Sequence, residues 1–143
     1  MTKHVICSYQ LSVYLKGDAL DPAELTALLC VEATKSHKKR ERWMTATQKE
    51  VVEKTGLWVL VLKGSAGEEL TALVSRMTVA LARRRSSLDR LPGVQDAYLD
   101  VLILTDVDED GGGGCDFILG LHAVEEMKEI GLPVQFNFAV VVP

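Results

Sequence analysis

Apolar and polar side chains alternate near the start of the chain. Between residues 5 and 16, every second position is apolar, and the intervening positions are mostly polar. A period of two places the apolar set on one side of an extended backbone, as in a half-buried strand. The apolar set is Val5, Cys7, Tyr9, Leu11, Val13 and Leu15. The pattern predicts a long strand over residues 5–16, which Gly17-Asp18 ends.

Capping residues predict a first helix directly after this strand. Asp21 is a suitable N-cap, Pro22 suits the first helical position, and Glu24 stands where a capping box requires an acidic residue. A short apolar stripe of leucines follows, at Leu25, Leu28 and Leu29. We therefore expect a short amphipathic helix from Pro22.

Helical periodicity returns twice later in the chain. After a capping pattern at Ser65 and Glu68, apolar residues recur at spacings of three, four and seven as far as Leu91, where Pro92-Gly93 follows. They are Leu70, Leu73, Val74, Met77, Leu81, Leu88 and Leu91. This predicts one long helix with three arginines, 83–85, toward its end. A last helix is expected over Leu119–Ile130, ended by Gly131.

The remaining apolar runs predict strands. They cover Leu57–Lys63, which is apolar on both faces, then residues 97–105 and Val134–Val142. The polar stretch 35–56 is predicted to be a long connecting segment, with a short strand near Trp43–Thr47. The order of elements indicates an α+β fold (α/β sandwich), with a four- to five-stranded mixed sheet and three helices packed on it.

Size and composition favour one cytoplasmic domain spanning residues 1–143. The chain has 48% hydrophobic residues, an ordinary globular share, and its apolar runs are shorter than the ~20 residues that a membrane helix needs. The first residues lack the pattern of a secretory signal. The three cysteines, Cys7, Cys30 and Cys115, show no zinc spacing. We expect Cys7 and Cys30 to be reduced core side chains, and no membrane partner.

Charge is divided unevenly along the chain. Residues 35–90 contain 13 Lys or Arg and 6 Asp or Glu, whereas residues 91–143 contain one Lys and 10 Asp or Glu. Such asymmetry is typical of a protein with a charged partner. The densest acidic run, Asp106, Asp108, Glu109 and Asp110, is followed by four glycines and then, after Cys115, by Asp116.

The acidic run resembles the first half of a calcium loop. Oxygen ligands stand at alternate positions before a glycine, but the twelfth position is Phe117, where a bidentate Glu is required. Asp116 is one residue away and leaves a non-standard calcium loop open. A solvated loop or an acidic surface for a basic protein explains the same composition.

The basic segment 35–43 combines cations with Trp43. Arg40, Arg42 and Trp43 suit a protein contact, because Arg and Trp are favoured interface anchors. Phosphate and base contacts to a nucleic acid are the alternative use of such residues. The acidic isoelectric point near 5.4 and the lack of a nucleic-acid motif argue against that alternative.

No catalytic signature accompanies these segments. The chain lacks a nucleophile elbow, a phosphate loop and a dinucleotide fingerprint, and its three histidines have no catalytic partner at a recognisable spacing. We therefore expect no enzymatic activity, no metal and no cofactor.

The segment Gly17-Asp18-Ala19-Leu20-Asp21-Pro22-Ala23-Glu24-Leu25-Thr26 resembles the opening of the bacterial domain-of-unknown-function family 4279. Gly56-Leu57-Trp58, the helix before Leu91 and Gly131-Leu132-Pro133 are similar to later parts of that family. Cys30 and Ala33 stand where the family carries Gly and Pro, and Arg40 stands where Gly is frequent. The resemblance implies a small protein of the immunity type, which binds and blocks a toxin.

The sequence thus predicts an immunity-type binding protein that neutralises a cognate toxin, for example a nuclease, by occlusion. The expected contacts are Asp106, Asp108, Glu109, Asp110 and Asp116, with a second contact at Arg40, Arg42 and Trp43. The alternative is a housekeeping module that binds a small ligand or metal. A homodimer also remains open, because Val134–Val142 could offer a sheet edge.

Overall fold

The computed structural model describes residues 7–107 and 114–141, and the elements named here lie within those ranges. Three of the elements are helices and seven are strands, with a short 3-10 turn at Leu88–Arg90. In chain order they are β1 (Cys7–Gly17), α1 (Pro22–Leu29), β2 (Lys35–His37), β3 (Arg42–Met44), β4 (Glu50–Val52), β5 (Gly56–Lys63), α2 (Leu70–Ala80), β6 (Asp96–Asp106), α3 (Leu121–Ile130) and β7 (Val134–Val141).

Five strands form a mixed sheet in the order β2-β5-β1-β6-β7. β1 is antiparallel to β5 and β6 on its two sides, β2 is antiparallel to β5, and β7 is parallel to β6. Strands β3 and β4 form a separate two-stranded sheet. The α+β fold predicted from the sequence, with a five-stranded mixed sheet and three helices, is confirmed.

The helices cover one face of the sheet, because the alternate apolar residues of β1 and β6 point to that face. Leu11, Val13 and Leu15 of β1 are fully buried there, as are Val101 and Ile103 of β6. Complete burial of one alternation phase is what a period of two predicts for a sheet with one covered side. The hydrophobic core therefore lies between β1, β5, β6 and the helix layer.

The opposite face of the sheet carries half-exposed side chains. Tyr14 of β1 lies directly across from Tyr98 of β6, and their rings stack at 5.0 Å with an interplanar angle of 9°. The Lys16 ammonium lies 5.2 Å from the centroid of the Tyr98 ring and 5.6 Å from that of Tyr14. A hydrogen bond to Tyr98 raises the pKa of Lys16. This cation–π contact lies on that face near the end where β1 finishes and β6 begins.

Helix α1 begins as the sequence predicts but ends on an unusual residue. The Asp21 carboxylate accepts a hydrogen bond from the Ala23 amide at 3.2 Å, and Pro22 is the first helical residue. Cys30 follows the helix in the left-handed conformation, at φ 57°. Gly is normally preferred there, since it has no Cβ to clash. The expectation that Cys30 is a core side chain is wrong, because the residue is exposed.

Helix α2 is much shorter than its apolar pattern predicts. It ends at Ala80, so the three arginines at 83–85 follow the helix, and Leu88 and Leu91 return to the core through a 3-10 turn. The chain leaves the helical path through tighter turns, in which the Ala82 amide donates to the Val79 carbonyl and the Arg84 amide to the Leu81 carbonyl, each at 3.2 Å. These turns redirect the chain, so that Leu88 and Leu91 reach the core from outside the helix.

Candidate functional site

The two segments predicted to contact a partner lie at opposite ends of the sheet. β1 begins at Cys7, opposite Thr105 near the end of β6, and finishes at Gly17, opposite Gly56 at the start of β5. The first position is the end where Asp106 lies, and we call it the acidic end. The hairpin β3–β4 is inserted between β2 and Gly56, at the other end of the sheet, and we call it the arm.

Two of the predicted contact residues lie in the described part of the acidic end, and both are exposed. Asp106 is the last residue of β6, and Asp116 lies in the connection from β6 to α3; both are exposed. Asp108, Glu109 and Asp110 lie outside the described residues, so the centre of the predicted acidic loop stays a prediction.

Three ionisable side chains, Cys7, Tyr9 and Cys115, lie close together beneath the acidic end. The Tyr9 hydroxyl is 3.9 Å from the Cys115 sulfur. Burial, together with interactions with Cys115, raises the pKa of the Cys7 thiol to about 11 and that of the Tyr9 hydroxyl to about 12. Because the thiolate is the reactive form of cysteine, Cys7 is a poor nucleophile at neutral pH.

Large apolar side chains are exposed beside these carboxylates. Ile118 is 87% exposed and Leu121, the first residue of α3, is 86% exposed. Phe117, which directly precedes Ile118, points inward, with its ring 6.1 Å from the rings of Tyr9 and Phe136. The acidic end thus combines negative charge with apolar residues that water surrounds. This combination is typical of a surface that meets another protein.

The arm presents a second exposed surface. Trp43 is 47% exposed, Met44 60% and Val52 47%, in a hairpin of only three residue pairs. Arg42 and Glu50 face each other across it, with 3.4 Å between Nη1 and Oε1. A two-stranded hairpin has little stability of its own in water, so its attachment to the domain matters.

Glu53 attaches the arm to the main sheet. Its carboxylate accepts a hydrogen bond from the Trp43 indole at 2.7 Å and lies 3.3 Å from Nε2 of His37 on β2. Its backbone carbonyl accepts from the Arg40 amide at 2.8 Å. Arg40 has φ 68°, the left-handed conformation that favours Gly. Trp43 and Arg40 are thereby positioned by one carboxylate residue that sequence reasoning did not single out.

An open cleft of about 870 Å³ lies beside the base of the arm. It is formed by the start of α1, strand β2 and the turn that follows, and its lining includes Thr26, Ser36, His37 and residues 38–40. Two of its cations are paired: Lys38 lies 3.8 Å from Asp21 and Lys39 3.2 Å from Asp18. Nδ1 of His37 is buried and, among the described residues, has no hydrogen-bond partner.

The structure separates what the sequence grouped as one interface. Ten residue steps of β1 separate the acidic end from the base of the arm, about 33 Å at ~3.3 Å per residue. Sequence reasoning missed Glu53, Ile118 and Leu121. The two exposed apolar residues lie two and five positions after Asp116, and that proximity to a predicted contact residue could have revealed them. The pairing of Glu53 with His37 has no sequence pattern, because it depends on how the hairpin folds back.

The described ranges 7–107 and 114–141 contain neither a candidate metal site nor a helix that could span a membrane. Nowhere in them do three or more His, Cys, Asp or Glu side chains come together as a metal site requires. None of the three helices there has the length and hydrophobicity needed to cross a bilayer.

The fold and these two surfaces define an α+β protein with a helix-covered mixed sheet, an acidic end and a projecting arm. A family model, described as Domain of unknown function (DUF4279), matches residues 7–140. The chain therefore belongs to this family, in agreement with the resemblance noted in its sequence. No match was found among the curated proteins or among the solved structures.

Proposed function

We propose that the protein is a cytoplasmic, non-catalytic binding protein of the bacterial immunity type, which neutralises a cognate toxin by covering its basic cleft with the acidic end. The observation that supports this is the exposure of Asp106 and Asp116 beside Ile118 and Leu121. Complementary charge accelerates encounter and selects the partner, while apolar anchors slow dissociation. A nuclease suits the proposal, because its substrate cleft is positively charged.

The separation of the two surfaces limits how one partner can use both. A small domain is about 30 Å across, which is no more than the distance of about 33 Å between the acidic end and the arm. A small toxin domain that covers the acidic end therefore does not extend past the arm, and we assign occlusion to the acidic end alone. The arm, with Arg40, Arg42 and Trp43, is a second contact only for a toxin that extends along the whole sheet.

Charge reversal at the acidic end tests the proposal. The chain is purified with the toxin domain encoded beside it, and affinity is measured by calorimetry for Asp106→Lys combined with Asp116→Lys. The control is Glu32→Lys combined with Asp89→Lys, two exposed carboxylates elsewhere. Each reversal adds two positive charges, so both double variants change the net charge from −4 to 0.

We expect the acidic-end variant to lose at least tenfold in affinity and the control to bind as the wild type does, since like-charge contacts weaken a complementary interface. Equal losses in both variants would show that only net charge matters and would remove the acidic end as the contact. If the neighbouring toxin neither binds nor is inhibited, the immunity function itself is wrong.

The cleft beside the arm favours a second candidate function, a small-ligand-binding module. Its lining holds Arg40, the carboxylates of Glu32 and Glu41, and Nδ1 of His37, which has no hydrogen-bond partner among the described residues. This set suits a small ligand that carries one anionic group for Arg40 and hydroxyl or amide donors for the other groups. Thermal denaturation with millimolar phosphate or malate, each of which carries a hydroxyl donor, tests this. A rise in the melting temperature that disappears in His37→Ala supports the module; unchanged melting with both probes removes it.

A further inference from the structure

The edge strand β7 lacks the features that usually protect a sheet edge. It runs for eight residues, Val134–Val141, without a charged residue or a proline. The other edge strand, β2, has three residues and carries Lys35 and His37. Among the described residues, β7 pairs only with β6. A long, neutral and uncovered edge is a template for pairing with another strand.

The face of β7 that continues the core is also only partly covered. Phe136 and Phe138 lie beside Val101 and Ile103 of β6, and the latter two are fully buried beneath the helix layer. Phe136 is nevertheless 44% exposed and Phe138 59% exposed, and Val140 is 42% exposed. The sheet thus extends beyond the helices that cover it, and three large apolar side chains of one alternation phase face water.

We infer that β7 is the interface of a homodimer, in which the β7 strands of two copies pair antiparallel about a two-fold axis. The two five-stranded sheets then form one ten-stranded sheet, and the Phe138 side chains of both copies lie on the same face. A two-fold interface requires a surface complementary to itself. Strand β7 meets this requirement, because no charge on it would face its own copy.

Charge on the flanking ends favours a second copy running antiparallel. Asp106 lies opposite Val141, at the end of the sheet where β7 finishes, whereas three arginines line a depression next to Gly131, just before β7 begins. Arg84 donates to the Glu129 carbonyl at 3.0 Å, and Arg85 and Arg90 line the same depression next to Gly131. The carboxylates of Asp89 and Glu129 also line it, so the three arginines leave this end with a small excess of positive charge. Antiparallel pairing sets the acidic end of each copy beside the arginine-rich end of the other. Parallel pairing would set like charges together.

The exposed area predicts a weak dimer. A phenylalanine can bury about 150–250 Å², so the two half-exposed rings of Phe136 and Phe138 together expose roughly 200 Å² that a partner strand could cover. With the remaining side chains of β7, the strand stays below the ~800 Å² per partner of a standard interface. We therefore expect a dissociation constant in the micromolar range and a dimer that depends on concentration and salt.

Sedimentation velocity of the purified chain alone tests this inference, which does not rest on the proposed toxin function. Between about 5 and 500 µM, the wild type should change from monomer to dimer. Phe138→Lys should stay monomeric, because it places two like charges across the axis. Val79→Lys is the matched control, an apolar side chain on α2 that is 75% exposed, and it should dimerise. Circular dichroism establishes that each variant is folded.

If Phe138→Lys does not fold, Val140→Lys on the same face replaces it. Protection of β7 amides from hydrogen exchange should rise with protein concentration in the wild type and remain low in the variant. A wild type that stays monomeric at 500 µM, with unprotected β7 amides, overturns the inference and leaves the edge to a different protein. Equal dimerisation of Phe138→Lys and Val79→Lys overturns it as well.

Discussion

Replacing Gly17 with alanine should destabilise the protein severely, because three glycine backbones meet where β1 ends. A Cβ added at Gly17 would lie 1.8 Å from the carbonyl oxygen of Gly93, in the turn before β6. A Cβ at Gly56, the first residue of β5, would lie 2.5 Å from the carbonyl oxygen of Gly17. Each obstacle is a backbone atom, so no side chain can rotate to make room.

The size of the effect follows from the separation that the methyl group requires. Carbon–oxygen contacts below 3.0 Å do not occur, so the backbones must move apart by about 1.2 Å from the present 1.8 Å. Two hydrogen bonds hold them together: Gln95 N to Lys16 O at 2.8 Å, and Asp18 N to Gln95 Oε1 at 2.9 Å. Losing two hydrogen bonds at ~1 kcal/mol each, with overpacking of ~1–3 kcal/mol, gives about 3–5 kcal/mol.

Urea denaturation followed by circular dichroism measures this loss. Total stabilities of ~5–15 kcal/mol leave Gly17→Ala marginally folded or unfolded at room temperature. The control is Gly120→Ala, at the start of α3, where an added Cβ meets no atom within 4 Å and φ is −64°. Its expected loss is below about 1 kcal/mol, the cost of a poorer N-cap. A Gly17→Ala midpoint equal to that of Gly120→Ala would refute the backbone-contact argument.

Three further predictions concern the C-terminal end of α1, the acidic end and the arm. Cys30→Gly should stabilise the protein by about 0.5–1 kcal/mol in thermal or urea denaturation, because Gly adopts the left-handed conformation without strain; Cys30→Ala should give no gain. Folding stability should fall as pH rises from 9 to 11, since the folded state holds the Cys7 proton up to about pH 11 and the unfolded state releases it near 9.0. The raised pKa of Tyr9 acts in the same direction, and Cys7→Ala should make the decline shallower. Glu53→Gln should shift Trp43 fluorescence to the red and make its quenching by acrylamide more efficient, because the Trp43 indole loses its charged hydrogen-bond acceptor. The main fold should stay unchanged. An unchanged spectrum would show that other contacts hold the arm.

The helices and strands of this fold were largely predictable where their formation depends only on neighbouring residues. Alternation over residues 5–16 predicted β1, and Asp21-Pro22 predicted the start of α1, because side-chain direction and helix capping depend on neighbouring residues. The long helix ending at Leu91 was wrong in length. Its apolar periodicity continues after Ala80, because Leu81, Leu88 and Leu91 all reach the core, but Leu88 and Leu91 reach it from a 3-10 turn and the residues around it. An apolar spacing shows which residues are buried and does not by itself show that one helix carries them.

The candidate site was less predictable, because it depends on residues far apart in the chain. The sequence located the acidic run and the Trp43 segment by composition. It did not contain the bridge from Glu53 to His37, which forms when the arm folds back on β2. Nor did it indicate that Phe138 stays half exposed, since an apolar strand has the same pattern whether or not a helix covers it.

The sequence by itself therefore determined the type of most elements, the division of charge and the family. Only the tertiary structure decided that the acidic end and the arm lie about 33 Å apart and that β7 is the edge strand of the sheet that the described residues form. The physical reason is that local propensities act over a few residues. The order of strands in a sheet, and hence which surfaces meet, depends on pairings between residues far apart in the chain, such as Ser12 with Asp100.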